Sequence, residues 1–384
     1  MKQHWLLDPA VTFLNHGSFG ATPIAVLQKQ DELRTRMERE PVRFMVRELE
    51  PLLDGARATV ANFAGADEAG FAFVPNATAA INAVLRSLDL DQNDELLTTD
   101  HEYNATRNVI DYVANLTGAR VVVASIPFPI ASAGVVIDRI REKVTRRTRL
   151  VIIDHVVSQT ALVFPVERLI RELAPLDVLV DGAHAPGMLP LELRNLGAAY
   201  YTGNLHKWVC APKGAAFLYV RPNRRLALRP AAISHGANAT RRDRSRFHLE
   251  FDWTGTFDPT PWLASAFAID FMNGLVDGGW PEIMRRNREL ALRARDLLCA
   301  ALGIEKPAPD DMLGSMAAVP LPDGDADALQ DELLFTHGIE VPLMPWPQPP
   351  KRLLRVSAQL YNTIDDYQRL AGALPALVSG HPRS

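Results

Sequence analysis

Cysteine is nearly missing from this chain: only Cys210 and Cys299 occur among 384 residues, too few for a disulfide framework or a cysteine-built zinc site. That scarcity fits a reducing compartment. No apolar run approaches the roughly 20 residues that a membrane-spanning helix needs. The amino-terminal "MKQHWLLDPAVTFLNHG" has no continuous apolar core, so neither a signal peptide nor a membrane span is expected and the chain reads as cytoplasmic. In that setting the Asn-x-Thr triplets at Asn76, Asn104, Asn115 and Asn238 carry no glycosylation meaning. An excess of charge is also lacking. Lys and Arg number 41 against 45 Asp and Glu, a net charge of -4, which provides no field to draw in nucleic acid or an anionic membrane. Small molecules are the expected partners.

Familiar catalytic signatures are absent too. There is no G-x-x-x-x-G-K-[ST] loop, no G-x-G-x-x-G and no G-x-S-x-G elbow, and "GSFGA" from Gly17 has the wrong spacing for one. "HEYNA" from His101 begins like a zinc-protease helix, but Ala105 stands where the second histidine is needed, so no metal site is expected.

What the chain does have is length and apolar content, 47% hydrophobic and 22% charged, more than one compact domain usually holds. Short β-branched or apolar runs, "FAFV", "ELLTT", "RVVVASI", "RLVIIDHVV", "DVLVD", "AAYYTG" and "GAAFLYV", alternate with helix-period segments such as "TAAINAVLRSL" and "YNATRNVIDYVANLTG". This predicts an α/β fold with a mostly parallel seven-stranded sheet covered by helices. Beyond residue 275 the pattern changes to the charged helix "WPEIMRRNRELALRARDLLCAALG", short strand-like pieces and a last helix from near Thr363. The expected division is residues 21–275 as a large domain, with 1–20 and 276–384 forming a smaller α+β unit. The proline cluster "VPLMPWPQPPKR" reads as a stiff loop rather than a polyproline ligand.

Chemistry-bearing residues gather at the predicted carboxyl ends of the strands, where ligands bind in open α/β sheets. Asn76, Ala77 and Thr78 precede a helix whose free amides and positive dipole end suit a phosphate, although an ordinary N-cap looks the same. Asp181 directly follows an apolar strand in "DVLVDGAHAPG", with His184 close behind; a carboxylate there caps a helix or pairs with a cation such as a protonated pyridine nitrogen. "AAYYTGNLHKWVCAPKG" delivers Asn204, His206 and Lys207 at another strand end. Most lysines snorkel to solvent, but a lysine among small and apolar residues also suits covalent chemistry as an amine. Together the three parts are those needed to hold pyridoxal 5'-phosphate.

"DGAHAPG", "YYTGNLHKWVCAPKGAAFLYVR" and "RVSAQLYNT" resemble the class V aminotransferase family of fold-type I pyridoxal-phosphate enzymes, from about residue 12 to 370. "FLNHGSFGATP", "DHEYNATRN" and "DWTGTFDPTPW" look most like its isopenicillin N epimerase branch. The resemblance implies Lys207 as the Schiff-base lysine, Asp181 at the pyridine nitrogen and His184 near the phenolic oxygen, where relatives often have glutamine. It implies Ala77, Thr78, Asn204 and His206 at the phosphate, Asn204 standing where many relatives have serine. His101 and Tyr103 both fit the register of a ring stacked on the cofactor, and Tyr103 is favoured. Ser158 or Gln159 occupies a region that touches the cofactor in relatives, though their asparagine is missing here. Arg355 matches the arginine that grips the substrate α-carboxylate. Thr256 resembles a residue that reaches the neighbour's phosphate in a homodimer with sites at the interface.

Desulfurases that form a persulfide carry a nucleophilic cysteine in the loop before that arginine, and "VPLMPWPQPPKR" has none. The expected activity is a reaction at the Cα of an amino acid or peptide, epimerisation first, with C–S lysis, transamination or a catalytically silent regulatory role as alternatives. Tyr103 and His16 are candidates for a second acid on the opposite face. Arg43 is a candidate for meeting an acidic substrate tail, and so is the run "RRDRSR", which otherwise reads as a solvated loop.

Overall fold

The computed structural model describes residues 1–379 of the chain. After β1 (Thr12–Phe13), seven strands build the central sheet: β2 (Phe71–Val74), β3 (Glu95–Thr99), β4 (Arg120–Ala124), β5 (Thr148–Asp154), β6 (Asp177–Asp181), β7 (Tyr200–Asn204) and β8 (Ala216–Val220). Across the sheet they run β2-β8-β7-β6-β5-β3-β4. β3 to β7 pair in parallel, whereas β8 is antiparallel to both β2 and β7. The reversal has a simple cause. A parallel return needs a crossover of a dozen or more residues, usually with a helix. The 205–215 connection after β7 is too short for that, so the chain turns back beside the strand it has just left.

The strands are apolar on both faces, and their side chains divide by parity. Val151, Ile153, Val178, Val180 and Phe217 enter one apolar cluster, while Leu150, Ile152, Leu179 and Leu218 enter the other. Helices cover both. The helix Ala77–Arg86 is capped by Asn76, whose side chain accepts from the Ala79 amide. The helix Asn104–Thr117 ends where Gly118 takes a left-handed conformation, φ 79°.

Four further strands complete the β structure among the described residues: β9 (Met316–Leu321), β10 (Ile339–Glu340), β11 (Leu343–Pro345) and β12 (Arg352–Ser357). β11, β12 and β9 form an antiparallel sheet in that order, packed against the helix Gly279–Leu302, which also contacts the last helix, Ile364–Ser379. Thus the proline cluster is not all loop: its Leu343–Pro345 form β11, and the residues after them turn back to β12. β1 pairs in parallel with β10, and the Ser357 amide donates to the Leu14 carbonyl at 2.9 Å, which ties the amino-terminal segment to this second sheet. Among the described residues no helix is long and apolar enough to cross a membrane.

The amino-terminal segment also lies against the Lys207 connection. Gly20 has φ 71°, and a Cβ there would stand 2.0 Å from the His206 carbonyl oxygen. Only glycine tolerates both conditions. Gly20→Ala is expected to lower the unfolding free energy by about 1–3 kcal/mol from backbone strain alone, measured by urea denaturation, and to displace the loop that carries Lys207.

Candidate active site

The connection from β7 to β8 is pinned at its neck. The amides of Leu205 and His206 both donate to the Ala215 carbonyl, at 2.9 and 3.1 Å, and the Ala211 amide donates to the Leu205 carbonyl at 3.1 Å. Trp208, Val209, Cys210 and Ala211 are buried beneath it. Between these apolar anchors the Lys207 side chain enters a pocket of about 150 Å3. Its Nζ lies 3.0 Å from His184 Nε2. Burial, aided by the nearby Arg355 cation, lowers the Lys207 amine to about 7, so an uncharged amine is available near neutral pH.

Two parallel strands end side by side in carboxylates, because Asp154 on β5 is the register partner of Asp181 on β6. Glu102, just after β3, adds a third, and oxygens of all three lie within 4.8 Å of one another, buried. Asp181 accepts from the Ala183 amide at 2.9 Å and from Thr106 Oγ1 at 3.2 Å. Glu102 Oε2 accepts from the Thr98 hydroxyl at 2.9 Å, while Asp154 Oδ2 and Glu102 Oε1 are buried with no partner among the described atoms. Burial and the charge of Asp181 push Glu102 up to about 8. Burial and Glu102 push Asp154 well above the carboxylate range. Close buried carboxylates cannot all ionise, and Glu102, at about 8, holds its proton at neutral pH. Asp181 is raised by burial as well, but its two donors and Lys207 oppose the shift.

The opposite wall is the start of the Ala77–Arg86 helix. Asn204 Oδ1 accepts from the Ala77 amide at 2.9 Å, and Asn76 Oδ1 takes the Ala79 amide, which leaves the Thr78 amide for an anion at the positive end of the helix. His206 completes this side; its Nδ1 stands 3.0 Å from the Ala215 carbonyl.

The family Aminotransferase class-V matches residues 15–370. The chain belongs to the class-V aminotransferase family. It is 39% identical to the isopenicillin N epimerase of Amycolatopsis lactamdurans over 97% of this chain and 96% of that protein. A probable chloroplastic L-cysteine desulfhydrase of Arabidopsis thaliana is 30% identical, over 97% of this chain and 84% of the relative. Among solved structures, the cysteine desulfurase CsdA of Escherichia coli shares the fold at TM-score 0.79 and 21% identity, covering 98% of this chain and 97% of that one. A C-DES mutant with glycine covalently linked to its PLP cofactor shares it at TM-score 0.81 and 21% identity, covering 98% and 99%. The fold is therefore that of fold-type I pyridoxal-phosphate enzymes.

Most of the residues expected of this class-V family member meet in the pocket. Asn76, Ala77, Thr78, Tyr103, Ser158, Asp181, His184, Asn204, His206 and Lys207 all line it. Of the two rings that fit the register, Tyr103 is in the wall, 44% exposed, whereas His101 is buried between Thr160, at 3.1 Å, and the Ile126 carbonyl, at 2.9 Å. Arg355, on β12, stands behind Ser18 and Ser158, which do line the pocket. Its guanidinium donates to the Ser18 hydroxyl at 3.1 Å and to the carbonyl and hydroxyl of Ser158. Its Nε is buried without a partner among the described atoms. Burial lowers the guanidinium only to about 10, so it stays charged. Gln159 is outside the wall.

His16 and Arg43 lie away from the pocket they were expected to serve. His16 is wholly buried outside the pocket, 2.7 Å from the Tyr361 hydroxyl and 3.0 Å from the Lys207 carbonyl, and burial lowers it to about 3, so it braces the Lys207 backbone and cannot act as an acid on substrate. Arg43 is on the surface, 62% exposed and paired with Glu48 at 2.8 Å, away from the pocket of its own chain. Thr256 is exposed in the loop before the helix Thr260–Asn273, also outside this pocket. Cys210 is buried with its thiol pushed up to about 12 by burial, which makes it a packing residue and no nucleophile.

Sequence reasoning missed Ser18, Phe19, Asp154 and Ala183 in the wall and Glu102 behind it. Asp154 had a signal: an acidic residue closing the run "RLVIID", as Asp181 closes "DVLVD". Glu102 had none, since its relation to Asp181 arises only when β3, β5 and β6 are side by side.

Glu102 makes a pH-dependent contribution to stability. Its folded-state pKa of about 8 lies above its unfolded value, so the fold binds its proton more tightly, and that contribution is complete below the unfolded pKa and lost as pH rises through about 8. Glu102→Gln is expected to remove it: the stability of the parent relative to the variant falls steadily between about pH 4.5 and pH 8 in denaturant titrations. A difference that stays flat across that window contradicts the protonated state of Glu102.

Proposed function

We propose that this protein is a pyridoxal 5'-phosphate-dependent enzyme acting at the Cα of an amino acid or an amino-acid-containing peptide, as an epimerase. The observation that carries the reading is the pairing in one pocket of an amine held near neutrality, Lys207, with a phenol, Tyr103. The residues fit the cofactor. The Thr78 amide, Asn204 and His206 would hold its phosphate, Asp181 its ring nitrogen, Tyr103 its ring face and Lys207 its aldehyde carbon. When bound, the cofactor draws electrons from the substrate Cα and so makes that proton acidic.

The protein's own part is positioning and proton handling. Asp181, which accepts from the Ala183 amide and Thr106, would face the ring nitrogen and retain a proton there. Arg355, charged and donating to Ser18 and Ser158 in the pocket wall, would receive the substrate α-carboxylate. Lys207, as the free amine, removes the Cα proton from one face, and Tyr103 returns one from the other. The pocket belongs to one chain, but the exposed Thr256 suits contact with the phosphate of a second copy in a homodimer. Residues 21–275 would then be the large cofactor-binding domain and 1–20 with 276–384 the smaller one.

C–S lysis is the second reading, favoured by the relatives named cysteine desulfhydrases. Its first step is the same, and a β-thiol leaves in place of the returning proton. Transamination shares that first step also. Incubation with L-amino acids, cysteine derivatives and small peptides in deuterium oxide separates them: deuterium at Cα with inverted chirality supports epimerisation, released thiol or sulfide supports lysis, and a keto acid supports transamination. No reaction with any class, together with no visible absorption band when pyridoxal phosphate is supplied, overturns the proposal.

Lys207→Ala is expected to abolish that band and to lower turnover by roughly 10²–10⁴-fold through loss of the base. Arg355→Lys loses at least one charge-assisted hydrogen bond, about 1.5–3 kcal/mol, and is expected to raise KM roughly ten- to hundredfold while the band persists. Steady-state kinetics and absorbance on the same preparations check both.

A further inference from the structure

His184 is 2% exposed, and both of its ring nitrogens have neighbours of known character. On one side Trp208 Nε1 donates to His184 Nδ1 at 3.4 Å. On the other, Lys207 Nζ lies 3.0 Å from Nε2. An indole N–H has no lone pair to accept with, so Nδ1 must be bare for this contact to exist. A neutral imidazole then carries its single proton on Nε2, facing Lys207. Two donors cannot face each other at this distance, so the amine must present its lone pair.

The opposite assignment fails on the same geometry. An ammonium on Lys207 would need a bare Nε2, which moves the ring proton to Nδ1 and sets it against the indole N–H. An imidazolium sets two donors against donors. Burial also holds His184 well below its usual range, which agrees with a neutral ring. Nor can the indole turn away easily. Trp208 is 1% exposed and its ring lies 4.9 Å from that of His16, which is itself held by Tyr361 at 2.7 Å and by the Lys207 carbonyl at 3.0 Å.

We propose that Trp208 is a positioning residue that fixes His184 as the Nε2-protonated tautomer, so that the nitrogen facing the pocket is a donor and the free Lys207 is an uncharged amine. The neighbour of the lysine in sequence thereby sets the lysine's proton state through a residue on a different strand end. The proposal rests on the site just described, and it adds that a donor aimed at the cofactor is what an anionic phenolic oxygen requires of His184.

The test is nitrogen-15 NMR of the full-length chain labelled at histidine, without cofactor and after loading with pyridoxal phosphate, with His184→Gln to assign the signals. The expected result for the unloaded parent is a His184 Nδ1 shift typical of a bare nitrogen and an Nε2 shift typical of a protonated one. In Trp208→Phe, which keeps an aromatic ring but has no N–H, the two shifts are expected to move toward each other as the Nδ1-protonated tautomer becomes populated. A parent protonated on Nδ1 overturns the proposal whether or not the variant folds, as does a folded variant with unchanged shifts. Because the unloaded readout needs no cofactor, the expected tautomer in a chain that never binds pyridoxal phosphate would sink the proposed function and leave this inference standing.

Discussion

Burial of the Lys207 amine is the constraint around which the site is organised. An ammonium is costly to remove from water, and a lysine placed among Trp208, Val209, Cys210 and Ala211 gives up its proton more readily than a solvated one. The loop can impose this only because it is rigid. Its neck is tied by bonds to Ala215, its floor is a set of buried side chains, and the amino-terminal segment braces it through His16 and the close approach of Gly20. A looser connection would let the side chain reach solvent and recover its usual basicity.

The same sheet that presents the amine also concentrates acid. Parallel strands in register place the last residues of β5 and β6 beside each other, and here both are aspartates. The fold accommodates this by giving the two carboxylates unequal surroundings. Asp181 has an amide and a hydroxyl donating to it, while Asp154 has an oxygen with no donor, so burial raises Asp154 well above the carboxylate range whereas at Asp181 the donors oppose the upward shift. Glu102 behaves like Asp154.

The proposed recognition of a substrate carboxylate draws on the second sheet. Arg355 is buried on β12 and reaches Ser18 from the amino-terminal segment and Ser158 from the loop after β5. Three distant parts of the chain thus meet at one guanidinium. Family likeness to proteins named for epimerisation and for cysteine desulfhydration agrees with the proposed reaction, whose first proton transfer serves either outcome.

Much of this was legible in the sequence because it is local. Alternating apolar runs marked the seven strands, Asn76 and Gly118 marked helix ends, and Asp181 and Lys207 stood out as charged residues closing apolar strands. These features depend on backbone period and on neighbours a few positions away. Tertiary structure alone decided whatever depends on the distance between segments. It drew Glu102 and Asp154 to Asp181, and sent His16 under the lysine instead of into the pocket. It kept Arg43 on the surface and chose Tyr103 over His101 for the wall. Residue type states what a group can donate or accept; only the packed fold states what it faces, and at Lys207 and His184 the partner determines which atom carries the proton.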